Sequence, residues 1–275
     1  MSSVISTHAA PAKISVLQWA GKSPLLRRAG FLIALALIWE LAAIVQNNPI
    51  MLPRFSTVLV AMADSFAHDD LIGAAANSLS VLLQGFALAI TISLALVAIA
   101  AANIAFRECL QTLTAMFNPL PAVALLPLAM LWFGLGKASL LFVLCHSVIW
   151  PFALAALAGF EGVPETQRLV GRNYGLRGPR YVALILIPAA LPSLISGLKI
   201  GWAFAWRTLI AAELVFGATS GSGGLGWFIF RNRNELFTDK VFAGLAVVIV
   251  IGLLVEAVVF RTIENRTVRK WGLQR

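Results

Sequence analysis

Positive charge is the chemistry this chain holds in excess: 21 Lys and Arg stand against 12 Asp and Glu, a formal net charge of +9. Four arginines, Arg168, Arg172, Arg177 and Arg180, fall within one polar stretch, FEGVPETQRLVGRNYGLRGPRY, which also holds Gly171, Tyr174 and Gly175. Guanidinium groups pair with carboxylates and phosphates through charge-assisted hydrogen bonds, so this stretch is a candidate handle for a partner. The plainer reading, an ordinary basic loop between two apolar segments, stands beside it. A second set of charges lies where charge is costly. Glu40, Lys199, Arg207, Glu213 and Glu256 sit in or beside strongly apolar runs, and each costs at least about 2.5 kcal/mol if it faces lipid. They must therefore face a neighbour or a watery path. For Lys199 and Glu213 the plainer reading is an ion pair, or a hydrogen bond to a broken helix. Arg207 could lend positive potential to a path for a small anion, with His146, Trp150, Trp206 and Glu213 along the same path. Arg207 and Glu213 are six residues apart and should occupy different faces of one helix. A lone histidine in a span is also commonly a hydrogen-bonded packing residue.

Other chemistry is poorly supported. GLGKAS (134–139) has the wrong glycine spacing for a phosphate loop, and Ala138 replaces the required hydroxyl. GSGGLG (221–226) fits GxGxxG as a string but has no preceding strand within a βαβ unit. Both are expected to be turns between helices, so no nucleotide site is expected in this chain. No metal-ligand cluster or nucleophile–base set is visible, and no cofactor is expected. Two cysteines, Cys109 and Cys145, are too few for a disulfide framework and are expected to pack. The basic residues flank apolar runs, which argues for orientation in a membrane rather than nucleic-acid binding.

The elements that must position these residues are membrane helices. Sixty per cent of the chain is hydrophobic and 12% charged, with a mean hydropathy of +0.88, far outside the soluble range. At about 20 residues per crossing the apolar stretches allow about six spans: 29–45, 82–102 reaching back toward Asn77, 113–133, 140–160, 181–216 and 241–260. The first is expected to be a retained anchor, because a polar stretch containing Lys13, Lys22, Arg27 and Arg28 precedes it. Ser56 is expected to cap a short interfacial helix over 56–67. Pro119, Pro121 and Pro127 should break the third span, Pro151 should kink the fourth, and Pro188 and Pro192 open a long fifth. Residues 217–240 read as a glycine-rich loop. Between spans four and five, Pro164 and Glu165 suit a helix start and Gly175 a helix end, giving a short helix over about 163–176. Counting Lys and Arg with the N-terminus inside gives 14 on inner segments and 5 on outer ones. That split places both termini and the 160–180 segment in the cytoplasm. The expected division is a tail at 1–28, a membrane domain at 29–262 and a basic tail at 263–275. Gly197 and Gly201 form a GxxxG face, suited equally to a second copy or to an adjacent span.

One run carries a resemblance. Gly175, twelve residues, Pro188 in LILIPAALP, then GLKIG resembles the cytoplasmic EAA loop of ABC-importer permeases. Leu169, Val170 and Gly171 stand at the Glu-Ala-Ala positions, so only the small third residue is kept. LPRFSTVL (52–59), LPLAMLWFGLGKAS (126–139), SGLKIGWAFAW (196–206) and LIAAELVFGATSGSGGLGWFI (209–229) are similar to the nitrate/sulfonate/taurine branch, across about residues 30–270. Val81 departs from it, where relatives commonly carry arginine. The resemblance implies an all-α permease of a bacterial inner membrane, moving a small anion such as nitrate, taurine or a sulfonate. It implies two permease subunits forming a homodimer in membrane lipid, an ATPase pair that hydrolyses the ATP, and a periplasmic solute-binding protein. It makes the 163–176 helix a coupling helix, with Gly171 and Gly175 allowing close approach to the ATPase and Arg168, Arg172 and Arg177 pairing there. The competing reading is an ion-coupled secondary transporter or channel, which would usually show repeated halves; none is visible.

Overall fold

A computed structural model describes residues 24–216 and 223–267. Among the described residues the chain is all helix, without a strand. Four helices are long and apolar enough to cross a membrane, and up to six crossings result if each of two bent pairs is one span. In order these are α1 (Pro24–Gln46), α2 (Phe55–His68), α3 (Leu71–Ala102) and α4 (Ile104–Phe117). After a 3-10 turn at Ala122–Leu125 come α5 (Leu126–Phe133), α6 (Lys137–Glu161) and the short polar α7 (Glu165–Asn173). Then follow α8 (Gly178–Ala189), α9 (Leu191–Phe216), α10 (Leu225–Asn234) and α11 (Thr238–Arg266).

Helix α6 is the axis: 61% of its most apolar stretch is buried inside the protein, against 6% for α1. It packs against α3 on one side and α9 on the other. The reason is visible in side-chain size. The buried stripe of α3, which includes Ala74, Ser78, Gly85, Ala89 and Ser93, recurs at three- and four-residue spacing, and small residues let backbones approach closely in lipid. The GxxxG face acts within the subunit. A Cβ at Gly197 would meet Ala155 and Phe152, and one at Gly201 would meet Val148. Cys145 is buried as expected, whereas Cys109 is exposed. The exposed Leu, Ile, Val and Phe of α1 and α11 are the residues expected against lipid.

Several sequence expectations need correction. The third span is an elbow: 104–117 and 122–133 meet at 90°. Pro119 and Pro121 lie in the break itself, while Pro127 sits in the first turn of α5, where its missing N–H costs nothing. The fifth span is likewise broken, at 80°, between α8 and α9. Ala190, between Pro188 and Pro192, leaves helical geometry there with ψ near 2°. Pro151, by contrast, stays inside a continuous α6. Helix α3 begins eleven residues before position 82, α1 begins at Pro24, and the last helix runs on to Arg266. The 217–240 loop contains α10; residues 217–222 of that loop lie outside the described residues.

Ser56 does not cap α2, which starts after Arg54. Instead its N–H and hydroxyl donate to the Glu40 carboxylate at 3.1 and 2.8 Å. An acidic group from α1 thus sits at the positive end of α2. Trp39 beside it packs between Phe55 and Phe242 and donates to the Pro53 carbonyl. The other end of α2 is tied by Lys240, which meets Asp69 at 2.5 Å and Asp64 at 3.6 Å. The Lys240 ammonium, donating to Asp69, holds that carboxyl below its ordinary value of 3.8, against a smaller raising effect of burial. A depressed acid stabilises the fold above its unfolded pKa, and the contribution is lost as pH falls through the folded value. We therefore expect amide-exchange protection around the α2–α3 junction to be flat above about pH 4 and to drop on further acidification. Asp69→Asn should remove that drop; an unchanged acid profile would refute the tie.

Candidate functional site

Two places gather the sequence-level candidates. The first is α7. Glu165 lies in its first turn and Arg172 in its last, both favourable to the helix dipole. Its end is a Schellman motif: Leu176 N–H donates to the Gly171 carbonyl at 3.1 Å and Gly175 N–H to that of Arg172 at 2.9 Å. Gly175, with φ of 71°, occupies the left-handed position this motif requires.

The helix has two faces with different duties. Inward, the Arg168 guanidinium donates to the carbonyls of Phe160 (2.6 Å) and Val163 (3.0 Å), capping the carbonyl end of α6. Gly171 is buried, and a Cβ there would lie 2.8 Å from Ile185 and 2.9 Å from Tyr181 of α8. Outward, Leu169, Val170 and Tyr174 are 47%, 50% and 81% exposed. With Thr166 and Asn173 they share one face at three- and four-residue spacing. Arg172 is exposed and 3.6 Å from Glu165; Arg177 is exposed ahead of α8. Of the six candidates in this segment, Arg168 and Gly171 therefore fasten α7 to the bundle, whereas Arg172, Tyr174 and Arg177 face out. Leu169 and Val170 were missed because they read only as departures from a motif; their helical spacing with Tyr174 was the available signal.

The second place is a cavity of about 360 Å³ at the elbow between α4 and α5. Its walls include Phe117 at the end of α4, His146 and Trp150 one turn apart on α6, and Phe204, Arg207 and Thr208 on one face of α9. The elbow segment at 118–121 forms its rim. Non-helical backbone at membrane depth is tolerated where it is buried in protein or lines a watery cavity. Arg207 is exposed, its Nε donates to the Ala203 carbonyl at 3.0 Å, and its guanidinium carbon is 5.2 Å from the Phe204 ring centre. The arrangement is a fixed positive charge facing aromatic walls, suited to attracting an anion with no bond-making chemistry.

Trp206 and Glu213 are not brought to this cavity. Trp206 is next to Arg207 in sequence but about 100° round the helix; it is buried and donates to the Val248 carbonyl of α11. Glu213 is buried against the start of α10. It accepts from Ser78 Oγ and from Gly226 N–H, each at 2.8 Å, while Ser78 Oγ accepts from Leu225 N–H at 2.8 Å. It is a cap holding α10 to α3 and α9, and it does not pair with Arg207. Lys199 pairs with Glu256 and Glu264 of α11 at 3.4 and 2.5 Å. GLGKAS forms the α5–α6 turn, closed by Ser139 Oγ donating to the Gly134 and Ala129 carbonyls. Among the described residues no group of His, Cys, Asp and Glu could hold a metal ion.

Residues 87–267 match the family model described as binding-protein-dependent transport system inner membrane component. The chain is 31% identical over 223 residues to a Methanocaldococcus jannaschii protein provisionally named an ABC transporter permease, spanning 80% of this chain and 82% of that one. It is 29% identical to the taurine transport system permease protein of Escherichia coli, over 82% of each chain. It is also 29% identical to the nitrate import permease protein of Synechocystis, over 65% of this chain and 64% of that one.

Proposed function

Because the chain belongs to the family of inner-membrane components of binding-protein-dependent transport systems, we propose that this multi-pass permease imports a small anion by an ATP-driven mechanism, the ATP being hydrolysed by a partner subunit. The observation that carries this reading is α7, a short helix fastened through Arg168 and Gly171 with an apolar–aromatic face, Leu169, Val170 and Tyr174, turned outward. That face suits a groove on an ATPase, and the inward anchors suit a rigid lever. Arg172 and Arg177 supply exposed positive charge at its edges.

Closure of the ATPase pair would push α7, and through Arg168 the end of α6. The excess of basic residues on the two tails, the Arg107 loop and the 160–180 segment supports a cytoplasmic position for α7 and for both termini. On the opposite side, α2 and the 217–240 segment would receive a solute-binding protein. Taurine and nitrate are the cargoes in the names of two relatives, and Arg207 in an aromatic-walled cavity supports an anion as cargo. A second copy of the chain would complete the path.

The test is purification from cells that express the chain with its neighbouring transport proteins, followed by reconstitution. We expect an ATPase to co-purify and uptake of the cargo to require ATP. Arg207→Ala should depress uptake about tenfold, equivalent to about 1.4 kcal/mol, with the ATPase still bound. Uptake driven by an ion gradient without ATP would overturn the reading, and unchanged transport by Arg207→Ala would remove that residue from the path.

A further inference from the structure

Three buried nitrogens beside the elbow cavity lack a hydrogen-bond partner among the described residues: both ring nitrogens of His146 and Nε1 of Trp150. A buried polar group left unpaired costs about 1–3 kcal/mol, and here three lie within one turn of the best-packed helix. His146 and Trp150 are four residues apart, so they share a face of α6. One ring packs against both of them. Phe117 stacks on Trp150 with ring centres 5.0 Å apart and planes 24° apart. It meets His146 edge-on at 6.0 Å and 88°. Phe117 is also the last residue of α4, directly before the elbow that holds Asn118, Pro119 and Pro121. A small change at the elbow therefore swings this ring. Across the cavity stands Arg207.

Resting on the translocation reading of this cavity, we propose that Phe117 is the gate of a transient oxyanion station, whose donors are His146, Trp150 and Arg207. With the ring in place the nitrogens are covered and the station is shut. With the ring withdrawn, an imidazole N–H, an indole N–H and a guanidinium converge on the cavity. An oxyanion offers several acceptor oxygens to these donors. The neutral donors fix its orientation, and the cation rejects positively charged solutes. Return of the ring displaces the anion from the same nitrogens, which keeps binding weak enough for the solute to leave.

The test uses the full chain in proteoliposomes without ATP, with labelled methanesulfonate and labelled choline as probes. Phe117→Ala should raise methanesulfonate leak about tenfold, equivalent to about 1.4 kcal/mol, and leave choline leak unchanged. Adding Arg207→Ala, or Trp150→Phe, which keeps an aromatic ring and deletes the N–H, should lower that leak toward the parent level. Phe117→Leu, which retains bulk, should leak less with the same preference and serves if the alanine variant does not fold. A parallel rise for choline, or a methanesulfonate leak indifferent to both second substitutions, overturns the station. So does an unchanged leak in both folded Phe117 variants. No motor subunit enters this assay, so failure to find an ATPase partner would leave its outcome standing, and its failure would leave the importer reading intact.

Discussion

Replacing Gly171 with valine should leave the ATPase bound and hydrolysing while uptake per ATP falls by about tenfold or more. The outward face of α7, with Leu169, Val170 and Tyr174 exposed, is untouched by this change, so the proposed docking should persist. The inward face has no room. A Cβ already comes within 2.9 Å of Tyr181 and 2.8 Å of Ile185, and branched methyls must push α7 off α8. Overpacking of this kind costs about 1–3 kcal/mol, and 1.4 kcal/mol is tenfold. Pivoting away would relieve the helix, and motion delivered to it would then be lost as slack. Gly171→Ala, which adds the Cβ alone against Ile185 and the Tyr181 ring, should give an intermediate loss. Paired measurement of ATPase rate and uptake in proteoliposomes decides it. Normal coupling in the valine variant would show that α7 is not the lever.

Glu213→Leu should be the most damaging single change for folding. It leaves Gly226 N–H without an acceptor and deprives Ser78 Oγ, which itself holds Leu225 N–H, of the carboxylate. Each buried donor stranded without its acceptor costs about 1–3 kcal/mol. Glu213→Gln keeps the shape and one acceptor oxygen, and should cost less, about 0.5–1.5 kcal/mol. Thermal unfolding in detergent, followed on the purified chain, should rank wild type above Gln above Leu. The damage should appear first as loss of α10 from the bundle, readable as protease sensitivity around residues 225–234. Equal stability of the three would mean that this carboxylate is not a cap.

Much of this was legible in the sequence, for reasons that can be named. Helix α7 could be located because its boundaries are written in local chemistry: Pro164 and Glu165 at the start, Gly175 at the end. Spans were legible because lipid demands long apolar runs. The two elbows were legible only as proline clusters. Pro119 and Pro121 announce a broken ladder, but the 90° turn follows from both arms packing against α6. Helix α10 was hidden because its apolar face is short and its start is glycine-rich; its stability comes from Glu213 and Ser78, which are 13 and 147 residues away from their backbone partners. Helical phase decides the rest of the candidate site. Arg207 and His146 lie 61 positions apart in sequence and reach one cavity, whereas Trp206, adjacent to Arg207, reaches α11 instead. That phase can be drawn from spacing, but which face meets which neighbour follows from the stripe of small residues on α3.

Helix α6 also sets how a push could travel. Its final carbonyls are gripped by Arg168, and ten residues before Phe160, about 15 Å along the axis, it carries Trp150. Axial rods of hydrogen-bonded peptide barely stretch, so a stroke applied at the Arg168 end arrives almost undiminished. Pro151 sits immediately beyond Trp150, where the missing N–H makes the rod easiest to flex. Thrust along the axis would thereby be converted into sideways travel of the indole. A piston ending in a knuckle would need only a short throw to part the Phe117 and Trp150 rings.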